Sequence, residues 1–175
     1  MLVKSQNGWP ALGESSPLLY TWVIPARNGT FKLKMHNGKV GLVLAHLALS
    51  LSEMVEDATT GKVDDWGWAY RSIRGDTEMS NHASGTAFDF NALKHALGVR
   101  RTWTSKQVDW IENRLNWLKN VVRWGGDYTR RADEMHFEIV QGLREVSAVA
   151  HMLASTPRGK RILAANPSQK KLVSS

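Results

Sequence analysis

Two short segments place polar side chains alternately with phenylalanines, and this alternation constrains the fold more than any other feature of the sequence. Asp89 lies between Phe88 and Phe90, and His136 directly precedes Phe137. Because successive side chains of a strand point to opposite faces, each segment predicts a short strand with one apolar face. If both phenylalanine-bearing faces pack into one core, the opposite faces bring Asp89 and His136 together.

The rest of the chain predicts one α+β domain over residues 1–175, with a small, mainly antiparallel sheet that bears a metal site and helices packed on its other face. Apolar periodicity predicts further strands over 31–35 and 66–71, a strand over 136–140, and helices over 38–56, 104–122 and 142–155. The glycines after Trp124 predict the end of the second helix. Residues 1–30 predict an irregular N-terminal arm, and residues 156–175 a loose basic C-terminal tail.

A third residue with metal-binding chemistry precedes the first of these strands. His82 stands seven residues before Asp89, and a connection through Gly85 lets it fold back over Asp89 and His136. The chain has no cysteine, so any metal must be held by imidazoles and carboxylates. Two imidazoles and one carboxylate form the protein ligand set of an open catalytic zinc site, in which water takes the fourth position.

Hydrolysis at such a site also needs a carboxylate that takes the proton of the attacking water. Two neighbouring residues are candidates. Glu134 has the same strand parity as His136, so periodicity favours it. Asp133 reaches the metal only if the strand begins with a turn.

The spacing of these residues resembles that of the zinc-dependent D-alanyl-D-alanine carboxypeptidase and L-alanyl-D-glutamate endopeptidase family, which includes many phage endolysins. The pattern consists of Ser80-x-His82-x-x-Gly85-x-Ala87-x-Asp89, followed about fifty residues later by Asp133-x-x-His136. Residues 66–74 resemble the upstream strand that carries the family's substrate-binding arginine. Residues 124–127 resemble the tryptophan-glycine segment before its second histidine, so that the similarity spans about residues 40–140.

The resemblance implies one zinc ion per chain, held by His82, Asp89 and His136. It also implies that Asp133 is the general base, against the parity argument for Glu134.

Further roles are assigned around this centre. The resemblance implies Arg71 as the substrate-binding arginine, with Arg74 as the alternative, and a guanidinium near the metal can stabilise an oxyanion or clamp a carboxylate. Ser80 is expected to bind substrate or to orient His82. Asp127 is expected to orient the second histidine, as outer groups around metal ligands commonly do.

The charge of the chain bears on its partners. Its 23 Lys and Arg residues outnumber 16 Asp and Glu residues, which gives a net charge of +7 and favours an anionic partner. We expect this partner to be bacterial peptidoglycan. Nucleic acid is not expected, because the basic residues are dispersed and no nucleic-acid-binding motif occurs.

We also expect the chain to be a monomer. Stable membrane association is not expected, since no apolar run is long enough to span a bilayer. The N-terminal apolar run breaks at Lys4, which argues against a signal peptide. The expected location is therefore synthesis in a host cytoplasm and action at the cell wall after membrane permeabilisation.

Together these features predict a zinc-dependent peptidoglycan peptidase of the phage endolysin type, cleaving the L-alanyl-D-glutamate bond of the stem peptide. One alternative is a D-alanyl-D-alanine carboxypeptidase with the same zinc chemistry. Another is a non-catalytic wall-binding module.

Overall fold

The computed structural model describes residues 3–73 and 75–175, which form two small antiparallel sheets and a set of helices. The strands are β1 (Leu19–Ala26), β2 (Gly29–His36), β3 (Ala87–Asp89), β4 (Val122–Trp124) and β5 (His136–Ile139). The α-helices are α1 (Gly38–Met54), α2 (Ser105–Trp117), α3 (Leu143–Ala154), α4 (Pro157–Ala165) and α5 (Lys170–Ser174). The α+β class with small antiparallel sheets is confirmed.

The first sheet is a hairpin of β1 and β2, paired from Leu19 with His36 to Ala26 with Gly29. The prediction of an irregular arm over residues 1–30 is wrong from residue 19 onward. Trp22 and Ile24 alternate with less buried neighbours. Both side chains are fully buried and pack β1 against the core. That alternation is short, and the surrounding glycines, prolines and serines conceal it.

Helix α1 is the centre of the core, since nearly every side chain from Gly38 to Ser52 is buried. It packs against α3, α4 and β1. The prediction of a helix over residues 38–56 is confirmed, with its end two residues earlier. None of the helices in the described residues combines the length and hydropathy that crossing a bilayer requires.

Helix α2 begins as its sequence predicts and ends sooner. Thr104 caps it in a reciprocal capping box with Gln107. The predicted extent to residue 122 is wrong, because Lys119 and Asn120 adopt left-handed backbone conformations with φ of 57° and 52°, which turn the chain. The residues that follow form β4, so the glycines after Trp124 end a strand rather than a helix.

The C-terminal segment is helical, and the predicted loose tail over residues 156–175 is wrong. Thr156 caps α4 by accepting a hydrogen bond from the backbone N–H of Gly159 at 3.0 Å, and Pro157 occupies the first turn. Ile162 and Val173 are buried in the core. Their apolar contacts hold the segment down despite its basic surface.

Residues 66–71 do not form the predicted strand. Their backbone groups bond to three different parts of the chain: Trp66 pairs with Asp89, Trp68 donates to the carbonyl of Lys34, and Ala69 donates to the carbonyl of His82. No continuous ladder results, and the segment instead lines the region where these parts meet.

The second sheet has the strand order β3-β5-β4, with all pairs antiparallel. Phe88 and Phe137 are opposite each other and stack with ring centroids 5.3 Å apart in the core. This pairing sets the register of β3 against β5.

Candidate metal centre and its cleft

Asp89 and His136 are direct partners across β3 and β5. Both lie on the face opposite the stacked Phe88 and Phe137 rings, and both are buried, with relative exposures of 2% and 7%. The alternation in the sequence therefore brings the carboxylate and the imidazole to one point on the sheet.

His82 joins them from a short 3-10 turn, Asn81–Ser84. Ser80 caps this turn, because its Oγ accepts a hydrogen bond from the backbone N–H of His82 at 3.3 Å. Gly85 ends the turn with a left-handed φ of 67°, a conformation that favours glycine, and sends the chain into β3. The hydrogen bond to Ser80 positions the backbone of His82, and Ser80 also lines the cleft, so both roles expected for Ser80 stay predictions.

Three donor atoms form a nearly equilateral triangle. Nε2 of His82 lies 3.1 Å from Oδ1 of Asp89 and 3.1 Å from Nδ1 of His136, and the latter two atoms are 2.9 Å apart. Tetrahedral ligands at zinc bond lengths stand about 3.3 to 3.5 Å from one another. A small expansion of the triangle therefore fits a zinc ion with one position left for solvent.

The outer nitrogens of both rings determine which nitrogens face the centre. Nδ1 of His82 lies 2.6 Å from the carbonyl oxygen of Gly67, and Nε2 of His136 lies 3.2 Å from Oε2 of Glu138. Because those oxygens only accept, each outer nitrogen carries a proton, which leaves the inner nitrogen as the position where a metal ion or a second proton binds. Two lone pairs and the carboxylate of Asp89 repel one another unless a cation lies among them, so the donor set fits a metal ion.

Gly67 is required for this contact. A Cβ at that position would lie 2.1 Å from the carbonyl oxygen of Lys34, so a side chain would push apart the two segments. The glycine lets its carbonyl approach His82.

Electrostatics favour positive charge at the centre. Burial alone would raise the pKa of Asp89, but His82 and His136 hold it well below its ordinary value. Burial alone would lower the pKa of His136, but hydrogen bonds and charge interactions with Asp89 and Glu138 raise it to about 10. A divalent cation and a proton therefore compete for Nδ1 of His136.

Asp133 occupies the turn just before β5. Its backbone N–H donates to the carbonyl of Gly125 at 3.0 Å, and its carbonyl accepts from the N–H of His136 at 3.0 Å. A Cβ at Gly125 would lie 2.4 Å from the Asp133 carbonyl oxygen, so glycine permits the close packing of this turn.

The carboxylate of Asp133 has the properties of a general base. Its Oδ1 is buried and has no hydrogen-bond partner among the described residues. Burial and the negative charge of Asp89 raise the pKa of Asp133 to about 6, while the charges of His136, His82 and Arg71 oppose that rise. A half-buried carboxylate with one unpartnered oxygen and a pKa raised toward neutrality is suited to accept and return a proton.

Glu134 is committed to other bonds. Its carboxylate accepts from the backbone N–H groups of Arg101 at 2.7 Å and Thr102 at 2.8 Å, and from the Thr102 hydroxyl. Burial opposes the change, but these bonds lower the pKa of Glu134. The parity argument for Glu134 is wrong because β5 begins only at His136, so strand alternation does not extend to residue 134.

Glu138, and not the predicted Asp127, contacts the outer nitrogen of the second histidine. Asp127 is exposed, whereas Glu138 is buried and contacts the outer nitrogen of His136. The Tyr128 hydroxyl donates to Oε1 of Glu138 at 2.7 Å, and Asn81 donates to Oε2. Burial raises the pKa of Glu138, but these contacts outweigh it and lower the pKa to about 2. The signal was available, since Glu138 shares strand parity with His136.

The centre lies in a cleft of about 740 Å³. Among the described residues, the lining includes the predicted Arg71 and Ser80, and the sequence analysis missed three further cations: Arg123, Arg130 and Arg131. None of the four arginines forms an ion pair within the described part of the chain. Arg74 lies outside the described residues. The cleft therefore has unpaired arginines on its wall as well as the carboxylates of the candidate metal centre.

Residues 74–139 match the family model described as D-alanyl-D-alanine carboxypeptidase. The family resemblance is confirmed for this segment. This peptidase family consists of zinc metallopeptidases that act on cell-wall peptide. The match includes the three candidate ligands and Asp133, and it leaves out Arg71. Searches of curated proteins and of solved structures found no significant match.

Proposed function

We propose that this chain is a zinc-dependent peptidase that hydrolyses the L-alanyl-D-glutamate bond in the stem peptide of bacterial peptidoglycan. The observation that carries the proposal is the convergence of three donor atoms, from His82, Asp89 and His136, within 3.1 Å of one another. Beside them lies a carboxylate oxygen of Asp133 that has no partner among the described residues. The matched family supports the reaction class.

A zinc ion held by the three ligands supplies Lewis acidity that polarises the scissile carbonyl and lowers the pKa of water. Asp133 takes one proton from the attacking water as the new C–O bond forms. It returns that proton to the leaving nitrogen as the C–N bond breaks, so that the carboxylate is regenerated.

Arg71 lies on the wall of the cleft and is close enough to Asp133 for its charge to lower the pKa of that carboxyl. From this position the guanidinium stabilises the negative charge that develops on the carbonyl oxygen, or binds a carboxylate of the substrate. Both roles require an arginine that no carboxylate of the protein already neutralises.

The arginines on the wall of the cleft, which form no ion pair within the described residues, support an anionic peptide substrate. A stem peptide carries carboxylates on its D-glutamate residue and at its C-terminus. Arg71 approaches the cleft from the segment before the 3-10 turn, and Arg123 from β4. Carboxylates at more than one place along the substrate match cations from different parts of the wall.

The description of the matched family favours a second candidate, removal of the terminal D-alanine. Digestion of purified peptidoglycan separates the two. Endopeptidase action produces new D-glutamate amino termini and L-alanine carboxyl termini, whereas carboxypeptidase action releases free D-alanine. The His82→Ala protein is the control and is expected to release neither. Wall binding by the native protein without release of either product would favour a non-catalytic module.

The proposal includes the role of a phage endolysin acting as a monomer at the wall once the membrane has been permeabilised. The net charge of +7 supports direct attraction to anionic wall polymers. Sedimentation with purified walls tests this attraction. Binding is expected to weaken as salt rises from low to physiological levels, and binding that does not change with salt would contradict it.

A further inference from the structure

We propose that residues 4–10, hereafter the arm, complete the metal centre. Asn7 is the positioning residue of the arm and acts on His136 through Asn81 and Glu138. The inference rests on the metal centre of the proposed peptidase. Its test measures metal affinity and needs no peptide substrate.

The arm is a tight turn that hydrogen-bonds to the second sheet, which carries Asp89 and His136. The backbone N–H of Ser5 donates to the carbonyl of Trp9 at 2.8 Å and closes the turn. Nδ2 of Asn7 donates to Oγ1 of Thr86 at 2.7 Å and to the carbonyl of Ile139 at 2.8 Å. One amide therefore ties the arm to the residue before β3 and to the last residue of β5, and this fixes the position of the Asn7 backbone.

From that position, the backbone N–H of Asn7 donates to Oδ1 of Asn81 at 2.8 Å. This bond determines the orientation of the Asn81 amide. With its oxygen facing Asn7, its Nδ2 donates to Oε2 of Glu138. The reverse orientation would place an NH2 group against the N–H of Asn7 and an oxygen against a carboxylate.

The orientation of Asn81 carries through to the metal ligand. Oε2 of Glu138 accepts from Nδ2 of Asn81 and from Nε2 of His136. The Asn81 bond therefore holds this oxygen where it keeps the proton on the outer nitrogen of His136. Nδ1 of His136 is then the nitrogen that lies beside Asp89 and is placed to bind a metal ion.

The arm is outside the segment that matches the family model, which begins at residue 74. The relay of hydrogen bonds from Asn7 to His136 therefore joins a part of this chain beyond the match to the centre within it. Gln6 and Asn7 also line the cleft itself, so the arm forms part of its wall.

The experiment is a zinc titration of the full chain in competition with a chromophoric chelator. Asn81→Ala is expected to weaken zinc binding about 10- to 100-fold, the usual effect of losing a group that supports a metal ligand, and Asn7→Ala about tenfold. The double variant is expected to bind no more weakly than Asn81→Ala alone, because Asn7 acts through Asn81. Thermal unfolding of each metal-free protein monitors the fold.

Asn28→Ala is the matched control. Its amide donates to Asp57 at 2.6 Å and joins two segments away from the cleft, so its loss is expected to leave zinc affinity unchanged. The proposal is overturned if both Asn7→Ala and the milder Asn7→Ser bind zinc as the native protein does, whether or not they unfold at lower temperature. Additive losses in the double variant would also overturn it. If the zinc affinities change as expected but the native chain does not hydrolyse peptidoglycan, the proposed function is contradicted and the role of Asn7 is not.

Discussion

Oδ1 of Asp89 lies 2.9 Å from Nδ1 of His136, and the two residues are directly opposed in the register of β3 and β5. On the other face of the same strands, Phe88 and Phe137 stack in the core. A slip of one residue by either strand would turn its candidate ligand into the core and its phenylalanine outward. Packing of the core and assembly of the metal centre therefore depend on the same register.

Replacement of Asp89 tests this centre directly. Asp89→Asn removes the carboxylate charge that, with two imidazoles, favours a cation, and zinc affinity is expected to fall more than about 100-fold, beyond the effect of losing an outer group. Calorimetric titration measures it. Asp127→Asn makes the same chemical change at an exposed position and is expected to bind zinc normally. Equal affinities in the two variants would contradict the ligand assignment.

Asp133→Asn separates proton transfer from metal binding. The amide cannot take the proton of water, so kcat is expected to fall about 10²- to 10⁴-fold. Zinc affinity is expected to change by no more than a few fold, because Asp133 is not among the three converging donors. Steady-state hydrolysis of purified peptidoglycan and zinc titration give the two values. A variant that retains native kcat would remove Asp133 from the mechanism.

Glu134→Gln is expected to affect stability rather than catalysis. The carboxylate accepts hydrogen bonds on both oxygens from the backbone of Arg101 and Thr102, and an amide can accept on only one. The free energy of unfolding is expected to fall by about 1–3 kcal/mol with kcat retained. Denaturant unfolding measures the loss, with the exposed Glu112→Gln as control. Unchanged stability and lost kcat would reverse the roles of residues 133 and 134.

Zinc affinity is expected to depend on pH through His136. Because Asp89 and Glu138 raise the pKa of His136 to about 10, zinc must displace a proton from it at neutral pH. Apparent affinity is expected to rise about tenfold per pH unit between pH 7 and 9. Affinity that stays constant over this range would contradict the shift.

The raised pKa of His136 has the opposite effect on the stability of the metal-free fold, which is expected to fall as the pH rises. The folded chain holds the His136 proton more tightly than the unfolded chain, whose ordinary pKa is 6.5. This stabilisation is complete below pH 6.5 and is lost as the pH rises toward 10. Thermal unfolding of the metal-free protein across that range measures the loss.

The sequence predicts those parts of the site that depend on local alternation. Phenylalanines beside Asp89 and His136 indicate which face each strand buries, and helix α1 shows its apolar character over its whole length. Strand β1 was not predicted, because only Trp22 and Ile24 mark its buried face. Helix α4 was not predicted either, because basic residues surround its few apolar ones.

Other parts of the site depend on contacts that no local pattern records. Asn7 and Asn81 are 74 residues apart, and their bond involves a backbone N–H, which any residue but proline offers. The position of Asp133, the proposed base, depends on a turn whose packing against Gly125 appears only in three dimensions. Glu138 is the exception, since its parity with His136 is visible in the sequence.

The most direct test of the account is the zinc content of the purified chain together with its release of peptide termini from peptidoglycan, before and after chelation. The account predicts about one zinc per chain, loss of hydrolysis on chelation, and recovery when zinc is restored. Hydrolysis that persists in the fully chelated protein, or in His82→Ala, would contradict it.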